Sequence, residues 1–259
     1  MIRVFQIAIL VFVIFFTQNL YAQDSITLVS KSHSVAFKTQ FAQFKDGFNY
    51  GKVFNGLNLV LGYSFTSTSG DNIFTYSPEL GFGPSYKEGI GLAWKFRPID
   101  FFYGWKINKS LTKPLTLGVY FATNYQWQLY PELQSGHMFW FTSIEAGPQL
   151  LYIFPIHNRL IKITFSNSIA GWASRPVPST EKYFYSLRFS DYVKNAHSNL
   201  KFGSFNLFNH TIFEIELVPK IGKRLSLAYE FEYFGYYRNP TLSYMSHSFN
   251  LRWKIGKLI

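Results

Sequence analysis

The stretch RLSLAYEFEYFGYY, residues 224–237, followed by SFNLRWKI, residues 248–255, decides the fold. In the first arm Leu225, Leu227, Tyr229, Phe231, Tyr233 and Tyr237 share one face, and Ser226, Ala228, Glu230 and Glu232 share the other. In the second arm Phe249, Leu251, Trp253 and Ile255 alternate with Asn250, Arg252 and Lys254. Successive side chains of a strand point to opposite faces, so each arm separates an oily surface from a charged one. Such a ribbon crosses a bilayer only within a closed barrel, because an open edge would leave backbone N–H and C=O groups unpaired in hydrocarbon. A soluble barrel with its apolar face inside shows the same alternation. Long strands, unequal connections and a polar face rich in Gln, Asn, Glu, Lys and Arg turn the reading toward the membrane.

Working outward, the same rhythm recurs along the chain. Residues 33–44, 57–66, 73–84, 90–107, 115–130, 138–154, 160–174 and 203–218 each alternate apolar with polar side chains. With the final hairpin they make about ten strands, an even number that suits antiparallel closure, though eight and twelve also fit. The stretch 90–107 changes phase at Pro98: Ile90, Leu92, Trp94 and Phe96 give way to Ile99, Phe101, Tyr103 and Trp105, which predicts a β-bulge or a turn. Short connections at 108–114, 156–159 and 219–224 alternate with longer ones at 131–137, 175–201 and 237–243. That asymmetry is the outer-membrane pattern, with the short side toward the periplasm. Tyr and Trp near strand ends, such as Tyr63, Trp105, Trp127 and Trp253, are placed to form interfacial girdles.

Composition agrees. Aromatic residues make up 20% of the 259 residues and charged residues only 15%, an oily, charge-poor mixture for a soluble domain. Residues 1–22 read as a secretory signal: Arg3, an apolar run from Ile7 to Phe16, and Leu20-Tyr21-Ala22 before a cleavage point. Residues 23–259 then form a single all-β domain. The chain has no cysteine, which excludes a lipid anchor, disulfides and thiolate metal sites. A net charge of +11 favours anionic surroundings such as lipid headgroups and lipopolysaccharide phosphates.

The leader, the strand–turn rhythm and the ending Phe249-x-Leu251-x-Trp253-x-Ile255 resemble small Gram-negative outer-membrane β-barrel proteins. The resemblance implies export through the periplasm to the outer membrane and insertion by the barrel assembly machinery, which reads closing strands of this kind. One departure is the continuation through Gly256-Lys257-Leu258 to Ile259, where many such proteins end on an aromatic residue.

Candidate chemistry concentrates on the polar faces. Glu214, Glu216, Glu230 and Glu232, with Arg252 and Lys254 on the closing strand, are expected to meet in the lumen. Glu214 should lie near Glu230, and Glu230 near Arg252. Crowded carboxylates repel unless cations neutralise them, so the cluster is read as a salt-bridged plug or as an ion path. Barrel hydrolases acting on phospholipid or lipid A carry a His-x-Ser-Asn pattern. Here His197-Ser198-Asn199 and Ser246-His247-Ser248 put His and Ser on diverging faces. The catalytic candidate that remains is His210, beside Glu214 or Glu145. The loop 175–201 interleaves Arg175, Lys182, Arg188, Lys194 and Lys201 with aromatics, which suits a grip on lipopolysaccharide phosphates or sugars. Six scattered histidines without His-x-x-x-His spacing give no metal site, and no cofactor or nucleic-acid partner is expected.

The expected protein is therefore a closed antiparallel transmembrane β-barrel, non-enzymatic, serving as a narrow channel or a structural and surface-interaction barrel. An outer-membrane hydrolase and a surface adhesin acting through loop 175–201 are the alternatives. About ten strands leave an interior filled by side chains, against about 16 for an open porin.

Overall fold

The computed structural model describes residues 29–47, 51–86, 90–108, 114–129, 138–157, 159–175, 194, 196–218, 224–239 and 241–255. Alternating side chains and extended backbone give strands β1 (Val29–Asp46), β2 (Lys52–Ser69), β3 (Asn72–Tyr76), β4 (Glu79–Tyr86), β5 (Ile90–Lys106), β6 (Leu115–Leu129) and β7 (Met138–Ile156). They continue as β8 (Arg159–Asn167), β9 (Ala170–Ser174), β10 (Lys201–Ser204), β11 (Phe208–Val218), β12 (Leu225–Tyr236) and β13 (Leu242–Ile255). All the pairings are antiparallel, and β1 returns to β13 with Phe37 opposite Leu251, which closes the ring. Three staves consist of two segments each, β3 with β4, β8 with β9 and β10 with β11, so the thirteen segments form a ten-stave barrel. Residues 1–22, expected to be a signal segment, lie outside the described residues.

The interrupted staves are where the sequence reading saw single strands. Between β3 and β4 stands Pro78, which has no N–H to donate; its carbonyl accepts from Tyr63 N at 3.1 Å while Ser77 N donates to Asp100 O at 2.9 Å. Between β8 and β9 the chain steps sideways, and Ser168 N donates to His210 O at 2.8 Å. Gly147 on β7 permits that step, because a Cβ there would collide with the Asn167 carbonyl oxygen. Between β10 and β11, residues 205–207 form a turn closed by Leu207 N donating to Ser204 O at 2.8 Å. The turn changes the phase, so Leu207 is buried inside although alternation had grouped it with the exposed Phe205.

The phase change in β5 is a bulge. Phe96 opposes Tyr125 and Ile99 opposes Thr123, so Arg97 and Pro98 share the single partner position of Asn124 on β6. Residues three apart in a strand normally face opposite ways. The extra residue puts Arg97 and Asp100 on the same, inner face, 3.4 Å apart.

Outside, the wall is apolar. Phe37, Leu59, Leu61, Phe82, Leu227 and Phe249 are all exposed, and Phe249 reaches 61%. Such a belt suits acyl chains, not water. At the end bearing the first residue of β1 and the last of β13, Tyr63, Trp105 and Trp253 ring the belt; at the other end Trp94, Trp127 and Tyr237 do. The end where β1 begins and β13 finishes also carries the tight turns at 70–71 and at His157, with Gly70 at φ 58° and His157 at φ 51°. The longest link, between β9 and β10, leaves from the opposite end.

Inside, three zones follow one another along the axis. Nearest the start of β1 is an open vestibule of about 360 Å³ whose wall carries serines and threonines. A layer of buried ionic and amide side chains crosses the middle. Beyond it the lumen turns apolar: Phe44, Phe54, Phe141, Phe208, Phe234 and Tyr244 pack together with Leu207 and Leu242. The sequence reading had enclosed only hydrophilic groups; this aromatic stopper corrects it.

Candidate functional site

Alternation, with one bulge, puts the ionic groups into the lumen, and register and curvature together pair them. Lys38 on β1 reaches Glu230 on β12 at 2.8 Å and also bonds Glu79 on β4. Arg252 on β13 holds two carboxylates of β11: it is hydrogen-bonded to Glu214, and its Nη1 donates to Glu216 Oε2 at 2.8 Å. Glu216 is further approached by Lys162 at 3.4 Å and accepts from Ser226 Oγ at 2.6 Å. These pairs form the floor of the vestibule.

One layer farther in, His210 is suspended between two acids. Its Nδ1 lies 2.5 Å from Glu145 Oε1 and its Nε2 lies 2.9 Å from Glu232 Oε1. Glu232 Oε2 accepts from Lys95 Nζ at 2.5 Å, and Glu145 Oε1 accepts from Asn124 Nδ2 at 3.0 Å. Arg97 stands 3.8 Å from Glu145. Side chains from β5, β6, β7, β11 and β12 therefore meet at one point on the axis. An ionised carboxylate only accepts, so both histidine contacts are filled only if each ring nitrogen, or one of the two carboxyls, carries a proton. Among the described residues no group of His, Cys, Asp and Glu has the geometry to hold a metal ion.

The six residues expected in the charge cluster are distributed over two levels. Glu214, Glu216, Glu230 and Arg252 sit in the vestibule floor, Lys254 on its wall, and Glu232 in the deeper layer with His210. Glu214 stands opposite Glu230 in register, and Glu230, opposite Ser248, takes its direct ion pair from Lys38 while Arg252 lies within electrostatic reach of it. His210 lies beside Glu145 and not beside Glu214. The sequence reading missed Lys95, Arg97 and Asp100: Lys95 finds Glu232 on β12, whereas Arg97 and Asp100 face each other on β5 across the bulge. The alternation of Lys95 with Arg97 and the phase change at Pro98 were the available signals.

The loop cations also divide. Arg175 is not exposed: its Nη2 donates to both carboxylate oxygens of Asp46 at 2.7 Å, and its guanidinium sits 5.8 Å above the Tyr236 ring. It ties the start of the loop to the end of β1. Lys194 and Lys201 are exposed, and Lys182 and Arg188 lie outside the described residues.

No protein-family model matches the chain, and no curated protein matches it by sequence. Solved structures do. The outer membrane protease OmpT from Escherichia coli shares 6% identity at a TM-score of 0.50, over 91% of this chain and 99% of that one. The translocator domain of autotransporter NalP from Neisseria meningitidis shares 8% at 0.47, over 93% and 92%. An outer membrane channel from Pseudomonas putida F1 shares 8% at 0.42, over 90% and 99%. Likeness at this identity speaks to fold alone. The chain has the architecture of the outer-membrane β-barrel proteins, a closed antiparallel ring of ten staves.

Proposed function

We propose that the protein works in the outer membrane as a non-enzymatic barrel with a stoppered lumen, a narrow conduit that passes no hydrated solute in this conformation. The observation that carries this reading is the transverse layer joining Lys95, Glu232, His210 and Glu145 across the axis, backed by the aromatic packing around Phe234. Buried charges held in several directions are costly to separate, because breaking one partner away leaves an uncompensated ion. The bilayer and lipopolysaccharide surround the wall, and the barrel assembly machinery inserts it.

A hydrolase built on His210 has less to work with. Both ring nitrogens face carboxylate oxygens, so neither is free to accept a proton from a nucleophile.

Planar-bilayer recording tests the proposal. The wild-type protein is expected to show no conductance steps, and Phe54→Ala/Phe234→Ala/Glu232→Gln, which thins the stopper and removes one charge of the layer, is expected to show small ones. Steady conductance steps from the wild-type barrel would overturn the reading.

A further inference from the structure

The vestibule is a cup with one mouth. Its lining runs from rim residues Ser32 and Thr68 down to Lys38, Arg97 and Arg252, where the ionic layer closes it. At about 360 Å³ it lies within the lower range of small-molecule sites. Two features specify an occupant. First, between aliphatic side chains such as Ile73, Leu151 and Ile153 the wall carries hydroxyls, each able to donate and to accept. Ser34, Ser64, Thr66, Thr75, Thr164 and Ser166 come from four staves, and Thr164 Oγ1 has no hydrogen-bond partner. Second, Arg97 is buried with its Nε lacking a hydrogen-bond partner, and its nearest acids, Asp100 and Glu145, stand at 3.4 Å and 3.8 Å. An imperfectly filled guanidinium at the base of a wet cup calls for an added oxygen acceptor.

Charge decides the class. The described lining holds five Lys and Arg side chains and five Asp and Glu side chains, so the cup has no net charge to attract an ion. An anion at Arg97 would also meet the Asp100 and Glu79 carboxylates, and a cation would meet Lys38 and Arg252. A hydroxyl satisfies both kinds of neighbour, accepting from Arg97 and donating to Asp100.

We infer that the vestibule binds a neutral polyhydroxylated solute of monosaccharide size, entering from the end where β1 begins and β13 finishes and held by Arg97 and the wall hydroxyls. This rests on the stoppered reading for its closed floor and adds a ligand to it.

Isothermal titration of the detergent-solubilised barrel with glucose tests the site, with acetate and tetramethylammonium as charged probes. Glucose should saturate a single site. Arg97→Lys, which keeps the charge but loses the planar fork, should weaken it about tenfold or more. Ser34→Trp, which fills the cup from the wall without touching the ionic layer, should weaken it as strongly and guards against misfolding of the first variant. Absence of saturable glucose binding, binding indifferent to both variants, or binding of acetate or tetramethylammonium in place of glucose would overturn the inference. Conductance of the same preparation separates the two ideas: an ion-tight barrel that ignores glucose sinks only the ligand, whereas an open one sinks the stopper itself.

Discussion

Glu232 shows what a single enclosed carboxylate demands. One oxygen faces the His210 ring, the other accepts from Lys95, and Gln40, Tyr244 and Ser246 stand at 3.4 Å around it. Removing one partner of a buried pair leaves an uncompensated charge, at a cost of about 3–5 kcal/mol. Lys95→Met should therefore lower the unfolding free energy of the vesicle-inserted barrel, read from urea titration, by about that amount. The double variant Lys95→Met/Glu232→Gln should recover part of the loss, because the neutral amide needs no cation and keeps an oxygen toward His210. Failure to recover would mean that the ammonium acts elsewhere. Gly147 sets a different kind of demand. Its α-hydrogen face receives the Asn167 carbonyl, and any Cβ overlaps it. Gly147→Ala is expected to reduce the folded fraction, read as loss of the heat-modifiable band on a gel, while the neighbouring Ala146→Gly changes it little.

At the scale of strands, one inserted residue organises the candidate site. The bulge at Arg97 and Pro98 turns a three-residue spacing into a same-face pair and lets Arg97 approach both Asp100 and Glu145. Deleting Pro98 restores strict alternation through β5. Arg97 and Asp100 are then two residues apart and both still face the lumen, so the deletion is expected to leave insertion into vesicles intact, and loss of insertion would mean that the bulge itself is required. The outward face gives a graded prediction. Arg at Leu59, in the middle of the apolar belt, should cost about 2–4 kcal/mol, whereas Arg at Ile255, beside the rim, should cost about 0–1 kcal/mol. Equal costs in vesicle unfolding would mean that the belt is not where the bilayer sits.

For the whole molecule, the axial sequence of vestibule, ionic layer and aromatic stopper makes the interior one-sided. The natural chain has no cysteine, so a single introduced thiol reports cleanly. Ser34→Cys, at the half-buried vestibule wall, should react with a water-soluble maleimide, and Ser246→Cys, fully buried beside Glu232, should not. Labelling of both would show that the lumen is open.

Much of this fold was legible in the sequence because a barrel wall is a local object. Each strand states its own two faces through period-two alternation, and Leu227, Phe249 and Trp253 could point nowhere but outward once Glu230 and Arg252 pointed in. Even the bulge announced itself, since Pro98 and the change from Phe96 to Ile99 lie within a few residues. The turn at 205–207 did not, because a strand that folds aside keeps its composition. Pairing across the lumen was beyond the sequence for a geometric reason. Hairpin neighbours are fixed by register, but Lys38 meets Glu230, Lys95 meets Glu232 and His210 meets Glu145 through the closing curvature of the ring. Alternation thus determined which residues enter the interior. Only closure, which sets the distance between opposite staves, decided which of them meet and that aromatic rings seal one end.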